Sequence, residues 1–380
     1  MNKIPADIDI DKIAELFHTT KQRVRGLLNR KILHKTPDGN LILDKSISGV
    51  ESGTNIFLES YEVVRGFPKI QRAMMLQSTL AAHFTCKSVA VEEKMNGYNT
   101  RVAFIDNKII ALTRGGHTCP YTTEKAQTLI PEEIFTDYPD IVLCGEMVGP
   151  DSPYVPKNIY NVKSLEFFLF DIREKNTGIP LSVAAKYNIA EQYNITCTKL
   201  FGIYPLTEAY NEITRIIKNL GACGREGVVI KDPAMKQPPL KYTSSQSNCS
   251  DLQHAFTYYH DYAKSFFYSR IAREAFQSVE WNETPEEIQR RCIQLGEGIL
   301  QPMVATIKKI QEKEKISENV QIRVKSLRTA EKFKEHLRIL GIDAVFHKPE
   351  KINNEYLIKI QKINQRTNDK TESILTGNTW

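Results

Sequence analysis

Between Val89 and Lys231 the chain runs through short β-rich segments punctuated by turns, and this pattern limits the fold more than any other feature. The runs cover 89–93, 98–105, 108–113 and 141–148, then Leu165–Ile172 and, after helical stretches at 181–193 and 206–220, Glu226–Lys231. Short strands with helices inserted among them read as the antiparallel sheet of an α+β protein. The flanks differ. Residues 9–33 predict two helices: Ile10, Ile13, Ala14 and Phe17 share a face, Thr20 caps the second, and Val24, Leu27, Leu28 and Ile32 recur at helical spacing. The basic second helix (Lys21, Arg23, Arg25) hints at a helix-turn-helix, but a structural pair packed on the main body is the favoured reading. A hairpin-like run follows at Asn40–Asp44, and 60–83 reads as helical after an interruption at Gly66-Phe67-Pro68.

Residues 251–314 read as wholly helical and carry aromatics such as Phe256, Tyr262 and Tyr268, which suit either a core or a subunit interface. The end of the chain reads strand (320–325), helix (328–340), strand (342–347), strand (355–361), then a polar tail. The expected units are a small N-terminal domain (1–60), a sheet-based domain (61–250), a helical domain (251–315) and a small C-terminal α+β domain (316–380).

At 380 residues, with 41% hydrophobic and 25% charged residues, the composition is that of an ordinary globular protein with room for several cores. No apolar run is long enough to span a bilayer, so no membrane partner is expected. The start of the chain, acidic and broken by Pro5, lacks the apolar block of a signal peptide. Seven scattered cysteines without a Cys-x-x-Cys pair argue against a zinc site and fit reduced thiols in a cytoplasmic protein. The net charge of +6 is compatible with a polyanionic partner but does not demand one.

Polar strings punctuate the β-rich segment. Glu92-Glu93-Lys94-Met-Asn-Gly97 lies between two strands, with Arg101 just beyond. A lysine amine on such a turn suits attack on a nucleotide α-phosphate if nearby cations suppress its charge, and Gly97 allows close approach of backbone to ligand. Thr113-Arg114-Gly-Gly offers a fork of donors to phosphate or ribose, and Cys144-Gly-Glu146 presents a carboxylate. Phe167-Phe-Leu-Phe-Asp171 supplies an aromatic surface. Glu226-Gly-Val-Val-Ile-Lys231 places a carboxylate and a lysine five residues apart, which share a pocket only if the strand is irregular or Lys231 reaches around its end. Pro-Pro-Leu-Lys241-Tyr242 adds another lysine. Each string alone also fits solvated charges or core aromatics; their order in one chain is the stronger signal.

In that order the strings resemble the motifs of the covalent nucleotidyltransferases: Lys-x-x-Gly at Lys94–Gly97, aromatic-x-x-Phe-Asp at Phe167–Asp171, Glu-Gly-x-x-x-Lys at Glu226–Lys231 and a late lysine at Lys241. Together with Arg65-Gly-Phe-Pro-Lys-Ile70, Gly-Glu146-Met-Val-Gly-Pro150 and Leu-Lys241-Tyr-Thr-Ser, the chain is most similar to the archaeal-type homodimeric ATP-dependent RNA ligases. Two departures stand out: Asn96 where the superfamily often has Asp, and a single late lysine in place of Lys-x-Lys.

The resemblance implies a nucleotidyltransferase core that joins RNA 5′-phosphate and 3′-hydroxyl ends, with single-stranded DNA as an open alternative substrate. ATP and Mg²⁺ or Mn²⁺ are the implied cofactors. By the same resemblance Lys94 is the nucleophile, and Lys231 and Lys241 are catalytic cations. Glu226 is a metal ligand; Glu146 is assigned to ribose with metal as the alternative. Phe167 stacks on adenine, Glu92 reads its edge, and Arg101 and Arg114 contact ribose or RNA phosphate. A homodimer through 251–314 is expected. Capping enzymes and DNA ligases share such a core but usually follow the late lysine with a β-barrel, where this chain turns helical. A non-catalytic nucleic-acid-binding protein would leave the ordered motifs unexplained.

Overall fold

The computed structural model describes residues 8–156 and 158–379. The acidic, Pro5-bearing start therefore lies outside the described residues.

The two N-terminal helices form at Ile10–Leu16 and Lys21–Asn29, capped by the side chains of Asp9 and Thr20. Ile13, Val24 and Leu27 are fully buried against a four-stranded antiparallel sheet made from Leu33–Lys35, Leu41–Leu43, Asn55–Phe57 and Glu62–Val64. The expected helix over 60–83 is confined to Leu76–His83. Its first half is strand and extended chain, because Gly66 passes so close to Ser52 that a Cβ would sit 2.1 Å from the carbonyl oxygen, and Pro68 lacks a helical donor.

Two sheets make the centre. One has the order Glu166–Glu174, Ile141–Val148, Tyr98–Ile105, Lys108–Thr113, all antiparallel. The other runs Leu200–Pro205, Ser88–Lys94, Gly227–Lys231, Leu240–Thr243, Gln71–Arg72, with only the last pair parallel. The chain crosses between sheets at Met95–Gly97, so Lys94 ends a strand of one sheet just before a strand of the other begins. Alternation sends Val89 and Val91 into one core with Ile213, Ile217 and Leu220 of the amphipathic helix Leu206–Ala222.

The helical layer comprises Ser245–Thr257, Lys264–Glu280 and Pro285–Gln311. A capping box, Thr284 with Glu287, starts the longest helix. In the C-terminal unit, Ser317–Val324, Ala344–Phe346 and Glu350–Ile352 pair with Glu355–Ile363 beside the helix Leu327–Ile339. Val320, Ile322, Phe333 and Ile360 share one apolar core with Leu143, Phe167 and Leu169 of the first central sheet. The helix Pro120–Leu129, unanticipated from the sequence, bridges the two through Tyr121, whose ring lies 5.7 Å from that of Phe333. The presumptive polar tail is instead a helix, Gln365–Leu375.

Candidate active site

The cleft between the two central sheets holds a cavity of about 500 Å³ lined by Glu92, Lys94, Arg114, Glu146, Phe170, Asp171, Lys231 and Lys241, among others. The strand register brings these together. Gly227 pairs with Lys94, Val229 with Glu92 and Lys231 with Ala90, while Lys241 lies opposite Val229 on the other side. Glu226 and Lys231 serve one site because the backbone departs from regular strand at Gly227 (φ 153°), where a Cβ would meet Tyr242 O at 2.3 Å.

At the inner end, Lys231 is almost completely buried and donates to Glu92 Oε2 (2.9 Å), Asp171 Oδ1 (2.8 Å) and Phe170 O (2.6 Å). Burial works against its charge, but Asp171 and Glu92 outweigh it and hold the ammonium above its ordinary pKa. The other oxygen of Glu92 takes Lys186 Nζ at 2.7 Å. Arg173 Nη2 sits 3.0 Å from Asp171 Oδ2. The result is a closed network with its charges paired.

At the outer end, Lys94 Nζ pairs with Glu226 Oε1 at 2.7 Å. Burial favours the neutral amine, yet Glu226 and then Glu146 reverse this, so Lys94 is charged in the free protein. Glu146 is pushed up to about 7 by burial, with Glu226 adding and Lys94 opposing. Among the described residues the side-chain ammonium of Lys241 has no ion pair or hydrogen bond; burial first, then Lys94 and Arg72, lower it to about 8. Among the described residues no three His, Cys, Asp or Glu side chains converge as a ready metal cage.

Two expected contacts, Phe167 and Arg101, are corrected. Phe167 is buried in the core behind the sheet, its ring within 2.2 Å of where a Cβ on Gly145 would sit. A register shift between Leu169 and Asp171 inserts Phe170 as the extra residue, so Phe170 and its neighbour Asp171 both face the cavity. Phe170 meets Phe67 edge to face at 5.2 Å. Arg101 is fully buried outside the cavity and donates to the carbonyls of Arg65, Gly53 (3.0 Å) and Thr113 (2.8 Å), fastening the N-terminal unit to the sheet. At Gly97 a Cβ would lie 2.2 Å from Met147 O, so the close packing of protein alone requires glycine there, and its N–H donates to Glu146 Oε1 at 3.3 Å. Sequence reasoning missed Phe67, Lys69, Asn99 and Thr198 in the lining and Lys186 behind it. The string Arg65-Gly-Phe-Pro-Lys-Ile70 was the available signal for the first two.

A family model described as RNA ligase matches residues 87–243, and one described as the Ligase Pab1020 C-terminal region matches 254–378. The solved structure of an archaeal ATP-dependent RNA ligase (form 2) superposes with a TM-score of 0.92 at 41% identity, covering 98% of this chain and 100% of that one. The chain belongs to the archaeal ATP-dependent RNA ligase family. Form 1 of that ligase aligns equally well, at 42% identity over the same shares of the two chains. An uncharacterised protein of Methanocaldococcus jannaschii, MJ0414, is 39% identical over 100% of this chain and 99% of its own length. Membership makes this protein a ligase and accounts for the cleft between the sheets; no helix of the described residues is long and apolar enough to cross a membrane.

Proposed function

We propose that this ligase joins RNA 5′-phosphate and 3′-hydroxyl ends in three steps carried by the residues of the cleft. The Lys94 amine bonds to the α-phosphorus of ATP as the bond to pyrophosphate breaks and the nitrogen loses its proton. The P–N bond of lysyl-AMP is then exchanged for a bond to the RNA 5′-phosphate. Finally the 3′-hydroxyl attacks that phosphate, and AMP leaves with the bonding pair. Phe170, with Phe67 beside it, is the aromatic wall for adenine, and Glu92 and Thr198 lie next to it in the lining. Lys231 is a fixed cation, and Lys241, lacking a partner, is the cation free to take the α-phosphate. Arg114 is suited to ribose or phosphate.

The oxygen-only pair Glu146 and Glu226 fits magnesium or manganese, which keep several waters and need one or two carboxylates besides phosphate. Bound there, the cation would supply positive charge that favours loss of the Lys94 proton and neutralises the phosphates. Lys94 is charged while it pairs with Glu226, so that ion pair has to open before attack. A homodimer through the helical layer is part of the reading, supported by exposed Tyr268, Val279, Ile293 and Leu300; light scattering at micromolar concentration giving a monomer mass would remove it.

The observation that carries the proposal is the convergence of Lys94, Lys231 and Lys241 on one cavity between the sheets, with Glu226 paired to Lys94. Its test is incubation of 5′-phosphorylated RNA and DNA strands with ATP and magnesium. Adenylated and joined RNA is expected. If neither strand gains AMP or is joined, the proposal fails; a preference for DNA would correct the substrate.

A further inference from the structure

One cluster, which shares only Glu93 with the lining of the nucleotide cavity, touches the nucleophile's own turn. The backbone N–H of Asn96, two residues after Lys94, donates to Tyr160 Oη at 2.7 Å. The guanidinium of Arg225 lies 4.3 Å from the centre of the Tyr160 ring. Arg225 Nη1 also pairs with buried Glu93 Oε1 at 2.7 Å, one residue before Lys94. The four residues close a bracket that grips the turn on both sides of Lys94. Tyr160 comes from the irregular segment between the strands Ile141–Val148 and Glu166–Glu174, and Arg225 directly precedes Glu226, the partner of Lys94.

We propose that Tyr160, braced by Arg225, is a positioning residue for Lys94, fixing the turn from which the amine reaches the α-phosphate. The physical need is specific. A lysine has four rotatable bonds, so its Nζ lies in line with the α-phosphorus only if the Cα it starts from is fixed. Gly97 anchors the far end of the turn through its contact with Met147 and its hydrogen bond to Glu146. Without Tyr160, the Asn96 N–H loses its only protein acceptor among the described residues, and the turn past the strand end, where Gly227 pairs with Lys94, keeps only the Glu93–Arg225 ion pair of the bracket. The guanidinium lies over the Tyr160 ring while it also pairs with Glu93, a double engagement that a lysine in place of Arg225 does not reproduce although it keeps the charge.

The inference rests on Lys94 being the nucleophile, and the experiment separates the two. Tyr160→Phe keeps the ring and removes only the hydroxyl. Single-turnover formation of lysyl-AMP is measured in the full-length protein, together with the KM for ATP and the sealing of RNA that already carries a 5′-adenylate, a step that does not use the lysine amine. Because small misplacements of a reacting group cost much in rate, Tyr160→Phe is expected to slow adenylation about 10-fold while KM and sealing of adenylated RNA stay within about twofold. Arg225→Lys is expected to slow adenylation by a smaller factor with the same selectivity. Equal loss in adenylation and sealing would mark Tyr160 as a structural plug and overturn the inference, as would adenylation at the wild-type rate. Lys94→Ala run in parallel reports on the nucleophile: an adduct persisting there sinks the underlying reading, whereas its disappearance with unchanged Tyr160→Phe kinetics sinks only the positioning role.

Discussion

Lys231 and Lys241 line the same cavity on adjacent strands, yet they are held in opposite ways. Lys231 has three acceptors within 2.9 Å and is sealed from solvent. Lys241 is near more cations than anions, and burial together with Lys94 and Arg72 outweighs Glu226 and lowers its pKa to about 8. A paired buried charge organises structure; an unpaired one raises the free energy of the empty protein and is relieved when an anion arrives. The cavity thus has an inner end that is complete and an outer end that is waiting for phosphate.

Substitutions at the two lysines sharpen this contrast most strongly. Lys231→Met removes the cation shared by buried Glu92 and Asp171 and leaves them only Lys186 and Arg173; loss of one partner of a buried pair costs up to about 3–5 kcal/mol, and urea denaturation should show it. Lys241→Met should leave the denaturation midpoint of the free protein no lower, or raise it, yet lower the rate of lysyl-AMP formation by about 10²–10³, the usual cost of removing a preorganised charge donor. Equal effects of the two changes on stability would break the comparison.

The aromatic pair provides the next test. Phe170→Ala should raise the KM for ATP by the loss of about 1–3 kcal/mol of stacking with little change in stability. Phe167→Ala should cost about 3–5 kcal/mol of stability through the cavity it opens, and leave the KM of the folded fraction unchanged. A KM effect confined to Phe167 would restore the assignment made from the motif alone.

The smallest expected effects lie in pH dependence. Lys241 has a folded pKa of about 8, below its unfolded value. Between about 8 and 10.5 the unfolded chain binds more protons, so stability of the free protein rises with pH across that window. ATP affinity should fall over the same window as the cation is lost, and Lys241→Arg should remove the fall. Glu146, raised to about 7, titrates in the opposite sense. Its folded form holds the extra proton between about 4.5 and 7, so its contribution to stability declines as pH rises through that window. Magnesium affinity should increase as the carboxylate ionises, and Glu146→Gln should flatten this dependence.

Much of the core was legible because strands register their own alternation: the segments 89–93, 98–105, 108–113 and 141–148 correspond to four of the central strands. The lysines were legible because the order of short strings is a property of the sequence. Phe170 was not, since a single bulge inverts which aromatic faces the ligand and the residue string carries no mark of it. Arg101 looked like a ligand for the same reason that it is a good staple: a guanidinium satisfies carbonyls as readily as phosphate. The helix Gln365–Leu375 was hidden because it docks by hydrogen bonds rather than an apolar stripe. Thr367 Oγ1 donates to Asp261 at 2.6 Å and Thr371 meets the Tyr259 hydroxyl at 2.6 Å, both threonines being buried.

The central claim is that the Lys94 amine takes AMP within this cleft. Intact mass and peptide mapping after incubation with ATP and magnesium test it directly. The account predicts one added AMP on the peptide bearing Lys94, absent from Lys94→Ala. AMP on another residue, or an adduct that survives in Lys94→Ala, would contradict it.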